Sequence, residues 1–276
     1  EKTPLLLQKS DGATLYATRD LAQMKYRMRR WNPEKIFMVV ANQQTFYFRQ
    51  LFEAAELLGY ARREQLEHVK FGMVLAPGGK KFATREGNLV PMEEVLREAV
   101  DRAYSVVNKL NPDLPEKEKR EVARMVGIGA VKFFDLAQNR LSDIVFDWDK
   151  MLSLRGSSAP YLQYSYARIK SIMRKAEKNP KKLDISLIQE KEAMSILRHL
   201  LHFGEVVQLS AERCEPNHLA EYLLKLAEKI NTFYEKMPVL TAEKKTMESR
   251  LALLAAASIV MKIGSGLLGV EVPERM

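Results

Sequence analysis

An α/β layer followed by an all-α helical bundle is the architecture this sequence predicts. Three observations carry it. Strand-length apolar runs alternate with helical periods up to residue 75. From Met92 onward only helical periods follow, and a polar, proline-marked stretch, NPDLPEKEKR, occupies residues 111–120. The domain boundary is therefore placed near residue 110.

In order, LLLQ reads as a strand, residues 15–31 as a helix and KIFMVVA (35–41) as a buried parallel-type strand. Residues 44–58 are helical and stop at Gly59 as a C-cap, and LEHVKFGMVL (66–75) is a third strand. This spacing predicts a βαβ sheet, with ligands beyond the carboxyl ends of its strands. Residues 42–47 and 76–87 both follow strands and are expected at that edge. A helix from Met92 to about residue 109 comes next. Helical patterns near 117–138, 159–178, 186–210, 217–236 and 243–266 then read as a bundle, with apolar residues recurring at three and four.

The chain has 276 residues, 46% of them hydrophobic and 29% charged, enough for one large domain or two ordinary ones with a real core. The apolar run at 251–260 reads as too short to cross a bilayer, no signal peptide is recognised, and a cytoplasmic setting is expected. One cysteine, Cys214, excludes an internal disulfide and a cysteine-built zinc site. The net charge of +9 is spread over both parts: 18 basic against 13 acidic residues up to 110, then 26 against 22. One long polyanion touching both parts would fit that balance, as would solubility alone. The start at Glu1 is read as a cut from a longer protein.

Four stretches offer chemistry, each with a plainer explanation. In LYATRD, Tyr16 and Asp20 share a helix face, where the carboxylate would pair a guanidinium through two parallel hydrogen bonds. By spacing alone an ordinary amphipathic helix, with Asp20 capping or paired to Arg19 or Lys25, explains them better. Gln43 and Gln44 lie where an amide would read a polar ligand, or where Asn42 simply caps a helix. GGKKFATREG (78–87) places Lys80, Lys81 and Arg85 on a glycine hinge, fit either for phosphate or for a solvated turn. In SSAPYLQYSYARIKSIMRK, Tyr161, Tyr164 and Tyr166 offer stacking faces. Arg168, Lys170, Arg174 and Lys175 offer phosphate contacts, continued by Lys178, Lys181 and Lys182. A helix with core tyrosines and wet lysines accounts for that stretch equally well. His199 and His202 lack metal-ligand spacing.

Taken in order, these stretches with GAVKFFDLAQNRLSDIVFDWDKML (129–152), APYLQYSYARI (159–169) and the ending RLALLAAASIVMKIGSGLLGVEVPERM resemble the C-terminal half of arginyl-tRNA synthetases over essentially the whole chain. The resemblance implies residues 1–110 as the C-terminal part of a class I, Rossmann-like catalytic domain and residues 111–276 as a helical anticodon-binding domain. It implies ATP, accompanied by Mg2+, L-arginine and tRNA(Arg) as ligands, and a monomeric enzyme. Tyr16, Asp20 and Gln44 match positions of the arginine pocket. Lys80, Lys81, Phe82, Ala83, Thr84, Arg85 and Gly87 match the second class I signature loop, with Lys81 and Arg85 as the cations that steady the ATP phosphates. Tyr161, Gln163, Tyr164, Arg168 and Met276 are the matching anticodon candidates.

Phe82, Ala83 and Glu86 depart from the usual loop, and Tyr47 stands where the family often has histidine. The first class I signature, His-x-Gly-His, does not occur in these 276 residues. The chain is accordingly expected to be a fragment that forms no arginyl-adenylate alone. Its competitors are a tRNA-binding module without catalysis and an unrelated nucleotide-binding protein.

Overall fold

A computed structural model describes residues 3–76, 78–79, 91–177 and 183–276. They fall into two compact units. One comprises residues 1–73 with 140–143; the other comprises 74–139 with 144–276.

In the first unit, helix α1 (Tyr16–Trp31) leads through an αL Asn32 to strand β1 (Ile36–Ala41). A 3₁₀ turn (Asn42–Gln44) then opens α2 (Thr45–Leu57), and strand β2 (Leu66–Phe71) follows. β1 and β2 pair in parallel with Ile36 opposite Leu66 and Met38 opposite His68. Ala17, Leu21 and Met24 of α1 bury against Phe48, Leu51, Phe52 and Ala55 of α2, with Ile36 and Leu66 completing the core. Helical spacing puts these α1 and α2 residues on facing stripes. Gly59, at φ +65°, ends α2 as expected: its N–H reaches the Glu56 carbonyl, and Tyr60 N–H reaches that of Ala55.

The sheet differs from expectation in two places. LLLQ forms no strand, only an isolated antiparallel bridge between Gln8 and Thr14, and Leu6 and Leu7 remain exposed. A tight turn holds this bridge, with Gln8 donating to the Gly12 carbonyl and Ala13 N–H donating to the Asp11 carboxylate. The run 66–75 is also not one strand. At Gly72 the backbone turns to residues 140–143: its N–H donates to the Arg140 carbonyl at 2.7 Å. A Cβ on Gly72 would lie 2.3 Å from the Ser142 carbonyl oxygen, so only glycine permits the approach. Met73 N–H donates to Asp143 Oδ1, and Arg140 donates to the Lys70 carbonyl.

The second unit begins with two-residue strand β3 (Val74–Leu75), parallel to β4 (Ile144–Val145), a pairing absent from the sequence expectation of helices alone. Its helices are α3 (Met92–Leu110), α4 (Glu116–Leu136), α5 (Trp148–Met151), α6 (Ala159–Ala176), α7 (Lys191–Leu201), α8 (Phe203–Arg213), α9 (Asn217–Lys236) and α10 (Lys244–Leu267). The expected linker shrinks to 111–115, because Glu116 and Glu118 already form an acidic first turn of α4. Lys119 folds back into this turn and donates to Asn108 Oδ1 and the Pro112 carbonyl. The expected 110 division therefore lies in a hairpin whose two helices pack together: a Cβ on Gly127 of α4 would stand 2.6 Å from the Val100 backbone nitrogen of α3.

The helix expected over 186–210 is broken at His202, where α8 turns to cover α9 and Phe203 packs near Tyr222. The main core gathers Phe133, Leu162, Ile169, Ile196, Leu223, Ile230, Phe233, Leu254 and Met261 from α4, α6, α7, α9 and α10. α10 needs a correction. At 24 residues and a mean hydropathy of 1.5 over its apolar window, it is long and apolar enough to cross a membrane by length and composition. Half of that window is buried, and α10 packs on α6, α7 and α9 as a core helix of the bundle.

Candidate functional site

The first candidate site lies in the first unit, where α1 meets α2. Asp20 is partly buried on α1, four residues after Tyr16, which opens the helix with its ring 80% exposed. The Tyr47 hydroxyl, from the first turn of α2, donates to Asp20 Oδ2 at 2.5 Å. Among the described residues Asp20 forms no ion pair. Lys25, one candidate partner in the plain reading, sits 4.8 Å over the Tyr60 ring instead. Among the described residues, this partly buried carboxylate in a chain of net charge +9 is thus left without a cation.

Gln43 and Gln44 are exposed at the carboxyl end of β1. Asn42 does not cap α2 with its side chain; its carbonyl accepts from Thr45 Oγ1 at 2.6 Å. Burial, then the Asp20 hydrogen bond and charge, pushes the Tyr47 phenol well above the ordinary tyrosine range, so it stays a donor. Behind it, Phe48 packs against His68 with centroids 4.5 Å apart and rings tilted by 36°. His68 Nε2 lies 3.0 Å from the Val40 carbonyl, which assigns the proton there, while buried Nδ1 has no partner. Burial holds this imidazole below its usual range and hence neutral.

Of the glycine-rich loop, Lys80, Lys81, Phe82, Ala83, Thr84, Arg85 and Gly87 lie outside the described residues. Its entry is described: Gly78 and Gly79 adopt φ +85° and +75°, and Gly79 N–H donates to the Ala76 carbonyl. A side chain would strain either position.

The second candidate site lies in the bundle. Ser158 caps α6, its Oγ accepting from Tyr161 N–H, and Pro160 sits in the first turn. The spacing 161, 164, 165, 168 then sets Tyr161, Tyr164, Ser165 and Arg168 along one face. Asn231 of α9 ties them together. Its amide donates to Tyr161 Oη and Ser165 Oγ, both at 3.0 Å, and its oxygen accepts from Arg168 at 2.8 Å. The Arg168 guanidinium lies between two rings, 4.8 Å from Tyr164 and 5.0 Å from Tyr234. This cation–π sandwich fixes its plane.

The other candidates are distributed differently. Gln163 is fully buried and donates to the Met125 and Glu271 carbonyls, so it fastens the C-terminal segment to α4. Tyr166 is buried in the core. Lys170 pairs with Glu274, and Arg174 donates to the Glu274 carbonyl. Lys175 is exposed, and Lys178, Lys181 and Lys182 lie outside the described residues. Met276 packs against the Ala103, Val107 and Val122 cluster. Sequence reading missed Tyr47 as the partner of Asp20, and it missed Asn231 and Tyr234. An asparagine on the apolar stripe of LAEKINTFY was the available signal for Asn231. His199 stacks on Tyr222 at 4.1 Å with reciprocal backbone hydrogen bonds, a structural pair rather than a ligand site.

The family model described as tRNA synthetases class I (R), catalytic domain, matches residues 1–148, and the DALR anticodon binding domain matches 162–276. An arginine–tRNA ligase of Laribacter hongkongensis is 42% identical over 99% of this chain and 48% of its own length. One from Lactococcus lactis is 44% identical, also over 99% and 48%. The chain thus spans about half the length of the curated relatives it matches. Among solved structures, Thermus thermophilus arginyl-tRNA synthetase superposes with a TM-score of 0.88 at 31% identity, covering 99% of this chain and 51% of that one. A class I catalytic portion followed by a DALR helical domain, together with these relatives, places the chain in the class I arginyl-tRNA synthetase family.

Proposed function

We propose that this chain supplies the arginine-side pocket, the second signature loop and the anticodon platform of an arginine–tRNA ligase. The observation that carries the reading is Asp20: a partly buried carboxylate with one oxygen held by Tyr47 and, among the described residues, no cation paired with it. Such a group is complementary to a planar guanidinium, which would meet the remaining lone pairs with parallel N–H donors. Tyr16 would cover the guanidinium, and Gln44 would hold the polar end of the amino acid. The α-carboxylate of the bound arginine would attack the α-phosphorus of ATP, giving arginyl-adenylate and pyrophosphate. A terminal ribose hydroxyl of tRNA(Arg) would then attack the acyl carbon and release AMP.

Lys81 and Arg85 would offset the charge that builds on the departing pyrophosphate. Mg2+ would come with the ATP phosphates, bridging their oxygens. We assign residues 1–110 to the catalytic side and 111–276 to anticodon binding, in a monomeric, cytoplasmic enzyme. His-x-Gly-His is absent from this sequence, and the chain alone would form no arginyl-adenylate.

In the bundle, Tyr161, Tyr164 and Arg168 would receive anticodon bases, with Met276 at the C-terminus as a further candidate and Gln163 as a strut. The test is equilibrium binding of the chain to tRNA(Arg) and to an unrelated tRNA across a salt series. Tighter binding to tRNA(Arg), weakening steeply with salt as counterions are released, is expected. Equal binding to both would refute an anticodon-reading platform.

A further inference from the structure

We propose that Tyr47 is the positioning residue of the arginine pocket, setting the plane of the Asp20 carboxylate for a guanidinium ligand. This rests on the arginine reading of Asp20. The two residues come from different helices, 27 positions apart, and meet through one charge-assisted hydrogen bond of 2.5 Å. Rotation of an aspartate carboxylate about its last torsion is broad and weakly restrained. With no cation pairing Asp20 among the described residues, the phenol is the contact that restrains it.

Tyr47 is itself held. Its ring meets Phe48 edge-on at 5.2 Å, and Phe48 is buried in the α1–α2 core. The phenol therefore approaches Oδ2 from a fixed direction and leaves Oδ1 for a ligand. A neutral donor is what this position requires, because a lysine or arginine there would neutralise the carboxylate and compete with the ligand. Tyr47 also follows Gln44 by one helical turn, so the residue that orients the carboxylate and the amide at the end of β1 are set by the same start of α2. The departure from histidine at this position thereby gains a role on the amino-acid side of the site.

The test uses the full chain with isotope-labelled tyrosine, titrated with L-arginine and followed by NMR, alongside its thermal midpoint. Tyr47→Phe is expected to weaken arginine binding about 10-fold, the loss of one hydrogen bond to a charged group, with the midpoint retained. Replacing Tyr47 by p-aminophenylalanine, which keeps a para N–H donor, is expected to restore affinity to within about 3-fold of the parent. A merely structural tyrosine would show neither the selective loss nor the rescue. Wild-type affinity in Tyr47→Phe, with Asp20→Asn strongly weakened, would overturn the role of Tyr47 and leave the pocket standing. Unchanged affinity in Asp20→Asn would overturn the arginine pocket and this inference together.

Discussion

Asp20 in the first unit and Arg168 in the bundle are the charged centres of the two candidate sites, and their surroundings treat them in opposite ways. Among the described residues, Asp20 accepts a hydrogen bond from Tyr47 and has no counter-charge. Arg168 is bonded to Asn231 and sandwiched by Tyr164 and Tyr234. In the proposed pocket, the Asp20 carboxylate would be completed by a charged ligand. The Arg168 guanidinium, by contrast, is already held by its neighbours, and in the proposed platform the bases would meet the tyrosine rings around it. The cores differ in the same sense. The bundle closes its helices around a large apolar centre, whereas the two-stranded sheet leaves Phe37 and Val39 exposed at 49% and 65%.

Arg168→Ala removes the cation between two rings and should weaken tRNA(Arg) binding about 10-fold, with arginine binding unaltered. Filter binding checks the first outcome, and titration with arginine checks the second. A loss in both would mean that the two sites are not independent.

A smaller effect separates the sites from the scaffold. Burial holds His199 below the usual histidine range, so the unfolded chain binds more protons than the folded one as the solution is acidified. The stabilisation is intact above about pH 6.5 and is lost as pH falls toward the depressed folded value. The bundle midpoint should therefore fall between pH 7.5 and 5.5, by about 3 °C per kcal/mol lost. His199→Gln should flatten the slope in a calorimetric pH series. His68 contributes with the same sign in the first unit.

Much of this was legible from residue pattern. The ends of α9 match the expected 217–236, and α1, α3 and α10 start or stop within one residue of expectation, because helical periodicity and end signals act locally. What failed depended on partners distant in sequence. LLLQ has strand composition, yet a strand exists only with a neighbour along its length. The split of 66–75 is set by residues 140–143, some seventy positions away. The long helix over 186–210 broke at His202 because α8 finds its packing on α9, which no local period encodes. The site residues show the same division. Tyr16 and Asp20 could be placed on one face by counting, but the Tyr47 hydroxyl on Asp20 needs the α1–α2 crossing. Gln163 lies between half-buried Tyr161 and Tyr164 in sequence, while its own side chain is fully buried and ties down the Glu271 carbonyl.

In the proposed pocket Asp20 waits for a positive, planar group, and one pair of ligands discriminates that directly. Citrulline matches arginine in shape but replaces the guanidinium with a neutral urea. Titration of the chain with both should show arginine preferred by at least about 10-fold, a difference expected when a charge meets an otherwise unpaired carboxylate. In Asp20→Asn the same two titrations should agree to within about 2-fold. An arginine preference that survives Asp20→Asn would contradict the account.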